Sequence, residues 1–290
     1  MAPSGSLASS PMIVYPNPDH VSNSQVAALL PSREGACALR WSFERRFRLP
    51  TQGSLAMELG SALDLGLNGI LAPSLLGRET DLAGGVAAMW ERIELIPDDL
   101  ADRETRQKEG AALEVALEGF HADHAAWHGQ DIQFEFRVPF KGQTITGIVD
   151  RIDADGTIVD HKLSRSQRVK DGKLDPEWMG KRRHQLALYL ACVAMAEGQE
   201  VGSRTKAGLE VCYVTARLKA PQWTYEAVEI GKEEQEQALE DAITAAFIRD
   251  SGVYPASPGK HCGYCDFTQE CGQVQSMMAL DISRISEAVR

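Results

Sequence analysis

The sequence has no apolar run approaching the ~18 residues that cross a bilayer, and 24% of its 290 residues are charged. A membrane span is therefore not expected. The first twenty residues carry Ser, Pro and Asn but no basic segment leading into an apolar core, so they do not read as a secretory signal. Residues 1–20 are expected to be a flexible leader on a cytoplasmic protein that contacts no membrane. No repeat or long low-complexity tract interrupts the chain. No Gly-x-x-x-x-Gly-Lys-(Ser/Thr) phosphate loop occurs, which excludes that route to nucleotide hydrolysis. Basic residues are also in deficit: 30 Lys and Arg face 41 Asp and Glu, a formal charge of −11. That balance argues at first against a polyanionic partner, because binding phosphates takes Lys and Arg.

Distribution matters more than the total. Arg33, Arg40, Arg45, Arg46 and Arg48 crowd one short segment. From Lys162 to Arg183 eight Lys and Arg, among them Arg165, Arg168, Arg182 and Arg183, meet only Asp171, Asp175 and Glu177. Acids elsewhere gather around 91–118 and 226–241. An acidic body with two basic stretches can still hold a nucleic acid, although each stretch alone is equally accounted for as a solvated face.

At 43% hydrophobic the chain can bury a sizeable core, as one large domain or two small ones. Ser22 and Ser24 precede an apolar run and suit a helix start. A second helix is expected over 37–47, and helical spacing continues over 54–72, 83–96 and 103–127. The period then changes. Residues 132–138 alternate, 144–153 are rich in β-branched residues, and 157–162 form a third short run, so an antiparallel meander with Asp155-Gly156 as a tight turn is expected. Helix returns at 177–197, strands at 208–215 and 223–229, and helix at 231–250. The last forty residues are expected to form a Pro- and Cys-rich loop and a short final helix. The fold class is α/β with a central mixed β-sheet, helical flanks, and the segments 21–130, 131–250 and 251–290 in one compact unit.

Gly147-Ile148-Val149-Asp150-Arg151-Ile152-Asp153, followed after a turn by Ile158-Val159-Asp160-His161-Lys162, is the most informative stretch. Asp160 and Lys162 are two apart on a strand and so emerge on one face. Pairing through the Asp155-Gly156 turn brings Asp150 toward the same end. Two carboxylates beside a lysine suit Mg²⁺ or Mn²⁺, which acidifies a water and polarises a phosphodiester; the lysine steadies the developing charge. An Asp-x-Lys triplet alone is ordinarily a surface ion pair. Here the lysine ends an apolar Ile-Val run, where a charge needs a reason.

These motifs resemble the PD-(D/E)xK superfamily, in particular its RecB-like and CRISPR-associated exonuclease branch. That branch reads Gly-x-x-Asp-Arg-x-Asp, then Ile-x-(Asp/Glu)-x-Lys, then a helix with Gln-Leu-x-x-Tyr. The chain has Gly147, Asp150, Arg151, Asp153, then Ile158, Asp160, Lys162, then Gln185, Leu186, Tyr189. The resemblance implies that Asp150 and Asp160 bind metal, that Lys162 serves the attacking water, and that Gln185 and Tyr189 line the site. It also implies a helix with Leu-Gly-x-x-x-His, whose histidine is a ligand. This chain reads Leu59-Gly60-Ser61-Ala62-Leu63-Asp64. Asp64 either supplies an oxygen in place of imidazole, for a harder site, or is a solvent-facing acid in a weakened one. Glu135 sits where related sequences often carry a glutamate.

Cys262, Cys265 and Cys271 lie within ten residues, at metal-ligand spacing. Candidates for a fourth ligand are Cys37, Cys192, Cys212 and His261. Cys192 and Cys212 sit among apolar neighbours and read as buried small hydrophobes; Cys37 is preferred. The iron–sulfur subgroup of the same branch places one cysteine before the nuclease core and three after it, which implies a [4Fe–4S] cluster on Cys37, Cys262, Cys265 and Cys271, while spacing alone allows Zn²⁺. The implied activity is a Mg²⁺- or Mn²⁺-dependent DNA exonuclease acting on single strands or free ends, with Arg40, Arg45, Arg46, Arg165, Arg168, Arg182 and Arg183 on the backbone and any unwinding left to a helicase partner. The rivals are an inactive nuclease fold serving as a DNA-binding scaffold and a zinc-stabilised interaction domain.

Overall fold

A computed structural model describes residues 14–33, 35–166, 169–170 (backbone only), 173–214 and 220–272. The first part of the expected leader, Arg168 and the final short helix lie outside the described residues.

The helices are α1 (Asn23–Leu29), α2 (Ala38–Arg45), α3 (Leu55–Leu71), α4 (Leu82–Glu94), α5 (Arg103–His124), α6 (Pro176–Ala196) and α7 (Lys232–Ser251). The strands are β1 (Gly129–Phe140), β2 (Gln143–Asp153), β3 (Ile158–Ser164), β4 (Val169–Lys170), β5 (Lys173–Leu174), β6 (Lys206–Tyr213) and β7 (Gln222–Glu229). Side-chain caps start the longer helices. Ser54 accepts from the Met57 N–H, Asp81 from Gly84, Asp102 from Thr105 and Asp175 from Trp178, each satisfying an orphan donor of the first turn. Ser22 does occupy the N-cap of α1, but its hydroxyl bonds Ser24 Oγ at 2.8 Å instead of the backbone.

The main sheet runs β1-β2-β3-β6-β7 and is mixed: β3 and β6 are parallel, and the other neighbours are antiparallel. The parallel pair is joined across α6, because a parallel return needs a long crossover. The Asp155-Gly156 turn is present. Gly156 has φ of +84°, a left-handed conformation that glycine adopts without a Cβ clash. The short antiparallel pair β4–β5, over a stretch the sequence reading left unassigned, and a 3₁₀ turn at Lys260–Tyr264, where it expected a loop, go beyond that reading.

One face of the sheet packs on α3, α4 and α5 through Leu59, Leu63, Leu67, Ile70, Met89, Leu117 and Phe120, joined by Leu163, Cys212 and Trp223. α3 and its 3₁₀ extension, Leu55–Leu76, have the length and composition of a membrane span. Leu59, Leu63, Leu67 and Leu71 of α3 are instead buried in this core, Leu65 is exposed, and Glu58 pairs with Arg92. The opposite face carries α6, whose residues from Leu186 to Ala194 are all buried, the pattern of a helix enclosed on every side.

The chain forms two compact units. Residues 53–243 make the first, holding α3 to α6 and the whole sheet. The described residues up to Gln52, with those from Thr244 onward, make the second. Within the second, the Leu39 N–H donates to the Pro255 carbonyl at 3.3 Å and the Phe43 and Phe267 rings lie 5.4 Å apart.

Candidate metal centre and cysteine cavity

β3 builds the centre by alternation. Asp160 and Lys162 point toward α6, while His161 and Leu163 point toward the α3–α5 side: Gln185 of α6 reaches Asp160, and the Phe120 ring of α5 meets His161 edge-on at 5.9 Å. β2 pairs with β3 only at Arg151–Val159 and Ile152–Ile158. One residue further along β2, the Asp150 carboxylate takes the place of a strand carbonyl and accepts the His161 backbone N–H at 2.7 Å.

Asp160 is 2% exposed. Its Oδ2 lies 2.6 Å from Lys162 Nζ, and its Oδ1 accepts from Gln185 Nε2 at 3.0 Å. The same Nε2 lies 3.0 Å from the Tyr189 hydroxyl, so the i, i+4 pair on α6 and Asp160 form one row. Burial raises the Asp160 carboxyl above the ordinary range, against the lowering by Lys162, and the Asp150 charge adds to the rise. Burial also drives the Tyr189 phenol far upward, with Asp160 reinforcing it, so the hydroxyl stays protonated.

Asp64 on α3 is half-buried. Burial raises its carboxyl, opposed by His161 and Lys162 and assisted by Asp160. Gln133 Nε2 stands 3.4 Å from one of its oxygens, on a β1 residue with φ of +50°. Asp64, Asp150 and His161 each offer a donor atom within 4.8 Å of the other two. An open cavity of about 410 Å³ is lined by Asp64, Asp150, His161 and Lys162, with Gly60 and Ser61 of α3 at its wall. Asp64, Asp150 and Lys162 thus meet at one cavity, with Asp160, Gln185 and Tyr189 in a hydrogen-bonded row on the α6 side. Glu135 is exposed on β1.

Sequence reasoning missed His161, which it passed over as the residue between Asp160 and Lys162, and a buried network next to it. Arg151 Nη1 donates to Glu210 Oε2 at 2.9 Å, Arg151 Nε lies 2.8 Å from Asp153, and His161 Nε2 and His124 Nε2 lie 3.3 and 3.4 Å from Glu210. Burial pushes the Glu210 carboxyl upward, but the His161 hydrogen bond and the electrostatic influence of the neighbouring His161, Arg151 and His124 outweigh it and hold the group at about 2. A lone glutamate inside the apolar run of β6 was the available signal.

The arginines fare differently from one another. Arg40 pairs with Glu44, Arg165 with Glu109 and Arg183 with Glu234, and Arg46 donates to the Tyr15 carbonyl. Arg45 is exposed. Arg182 lies over the Trp178 ring at 5.3 Å and lowers the Asp160 carboxyl electrostatically.

In the second unit, Cys37, Cys262, Cys265 and Cys271 all line one cavity of about 290 Å³, together with Arg40, His261 and Phe267. The Gly259 N–H donates to Cys262 Sγ at 3.4 Å. Burial raises the Cys271 thiol, and Cys37, Cys265 and Cys262 raise it further, as expected where thiolates converge without a cation. Cys192 and Cys212 are fully buried among apolar side chains, and burial pushes the Cys192 thiol up to about 12.

Residues 31–272 match the PD-(D/E)XK nuclease superfamily, a span that includes the acidic centre and all four cysteines of the cavity. The chain belongs to that superfamily. Among solved structures, it is similar to a protein from Eubacterium rectale described as a "Putative exonuclease", with a TM-score of 0.54 and 14% identity over 87% of this chain and 88% of that one. At that identity the likeness is one of fold, and it agrees with a mixed sheet flanked by helices. A second structure, of SSO0001, aligns at a TM-score of 0.34 and 14% identity over 76% of this chain and 86% of that one. No curated protein matches the sequence.

Proposed function

We propose that this nuclease is a Mg²⁺- or Mn²⁺-dependent DNA exonuclease of the RecB-like branch, serving repair, recombination, or phage or CRISPR DNA processing. One observation carries the reading: Asp150 and Lys162 open on the same cavity as Asp64, and Lys162 is held 2.6 Å from the buried Asp160. Carboxylates gathered this closely repel one another unless a cation lies between them, so Asp64, Asp150 and Asp160 fit a hard divalent ion. Bound there, such an ion acidifies a water and draws charge from a phosphate.

The chain's own groups do the rest. Asp160 is kept in place by Gln185, whose Nε2 also donates to the Tyr189 hydroxyl; that hydroxyl stays protonated and does not act as a base. The Lys162 ammonium is positioned to stabilise charge that develops on the phosphate oxygens. The substrate is single-stranded DNA or DNA with a free end, and a helicase partner supplies unwinding, since the sequence has no phosphate loop of its own.

The cysteine cavity supports a [4Fe–4S] cluster on Cys37, Cys262, Cys265 and Cys271. Four convergent cysteines also allow Zn²⁺, and the resemblance to the iron–sulfur subgroup favours the cluster. The activity is tested with purified Asp160→Ala and Lys162→Ala proteins on end-labelled single- and double-stranded DNA. Each substitution is expected to cut metal-dependent degradation by on the order of 10²–10³-fold; undiminished cleavage by either removes the assignment.

A further inference from the structure

The branch that this chain resembles puts a histidine where this chain has Asp64, and yet an imidazole does reach the centre from the other side. His161 is 7% exposed, and one of its ring nitrogens falls within 4.8 Å of a carboxylate oxygen on each of Asp64 and Asp150. Its two nitrogens have different surroundings. Nε2 lies 3.3 Å from Glu210 Oε2, inside a network where Arg151 and His124 already hold that carboxylate. Nδ1 is buried and has no hydrogen-bond partner. A buried nitrogen without a partner costs free energy unless something binds it.

The tautomer follows from the same contacts. Glu210 Oε2, 3.3 Å away, can only accept, while Arg151 Nη1, 3.5 Å away, can only donate; the nearer Glu210 contact puts the proton on Nε2. Nδ1 is then left with its lone pair. A carboxylate that fixes one nitrogen of a histidine so that the other can bind an ion is a recurrent arrangement in metalloproteins. The backbone contributes as well: the His161 N–H is donated to Asp150 Oδ2 at 2.7 Å, which ties the residue to a carboxylate of the same centre.

On the reading of that centre as a divalent-cation site, we infer that His161 is itself a ligand through Nδ1 and restores, from β3, the nitrogen that position 64 lacks. Glu210 is its positioning residue. The centre is then mixed, Asp64, Asp150 and Asp160 oxygens with one imidazole. A nitrogen donor favours Mn²⁺ and other transition ions over Mg²⁺, so the substitution at position 64 relocates the imidazole without turning the site into an all-oxygen one.

The test is pulsed electron paramagnetic resonance of the full chain loaded with Mn²⁺ alone, together with Mn²⁺ and Mg²⁺ binding isotherms. The wild-type protein is expected to show nitrogen modulation on the ion that changes frequency when histidine is labelled with ¹⁵N, a comparison that needs no variant to fold. His161→Ala is expected to lose the modulation, to bind Mn²⁺ at least about tenfold more weakly, and to prefer Mn²⁺ over Mg²⁺ less. Glu210→Gln is expected to weaken Mn²⁺ by roughly 10–100-fold. If the loaded wild type shows no histidine nitrogen while Asp150→Ala loses the ion, His161 is not a ligand and the carboxylate site stands. If Asp150→Ala binds Mn²⁺ as tightly as the wild type, the site itself is misplaced and both readings fall.

Discussion

In the acidic centre the functional side chains are fixed by groups of the protein. Asp150 is held by a backbone N–H, Asp160 by Gln185 and Lys162, and His161 by Glu210. The cysteine cavity is different. Its walls come from a 3₁₀ turn, a loop and the start of α2, and burial together with the three other cysteines raises the proton affinity of Cys271. Strand and helix geometry positions the first set of groups before any ion arrives. The second set is a group of thiols that needs a bound group to draw it together. One region is therefore expected to keep its shape without its ion, and the other to lose it.

That contrast sharpens most in the cysteine unit. If the cavity holds the proposed cluster, Cys265→Ala is expected to remove the visible absorbance near ~400 nm that zinc lacks. If the clip acts like a disulfide closing more than two hundred residues, it also costs roughly 4–5 kcal/mol, read as a lower Tm. Tm unchanged from the wild type would show that the cavity supports itself after all. In the acidic centre the corresponding break lies in the protein's own network. Glu210→Ala leaves the Arg151 guanidinium, 3% exposed, with Asp153 as its remaining carboxylate, at an expected cost of at most about 3–5 kcal/mol in denaturant melts with or without added Mn²⁺. A cost that vanishes when the ion is left out would mean the ion, and not the network, holds the centre.

The smallest effect belongs to the turn between β2 and β3. The Asp155 carboxylate accepts from the Thr157 N–H at 3.0 Å and pairs with Lys206 at 2.9 Å; the Thr157 bond first, then Lys206, lowers it from 3.8 to about 2. A carboxyl depressed on folding stabilises the protein above its unfolded value and loses that contribution as pH falls through the folded one. Asp155→Asn is therefore expected to flatten the acid limb of stability between pH 3.8 and about 2. Since the group is half exposed, the effect after solvent screening is a few tenths of a kcal/mol. An acid limb as steep as that of the wild type would place the acid sensitivity elsewhere.

Much of the frame was legible in the chain itself. The change from period 3.6 to period 2 after residue 130 marked β1 to β3, the Asp-Gly pair marked their turn, and the i, i+4 spacing of Gln185 and Tyr189 put both on one helix face. What escaped depends on distance along the chain. Glu210 meets Arg151 across 59 residues because β6 pairs in parallel with β3, and no local pattern records that pairing. Gln133 reaches Asp64 from a strand residue with positive φ, which period 2 does not anticipate. His161 was hidden by the motif around it: an Asp-x-Lys pattern treats its middle residue as a spacer, and only the third dimension shows that residue facing the second carboxylate.

The activity is tested most directly on wild-type protein stripped with EDTA and then given Mg²⁺ or Mn²⁺, with linear and covalently closed circular DNA as substrates. Shortening of the linear DNA from its ends only after the metal is restored, with the closed circles spared, is the predicted result. Degradation that proceeds in EDTA, or linear DNA left intact at every metal concentration, would contradict a metal-dependent exonuclease.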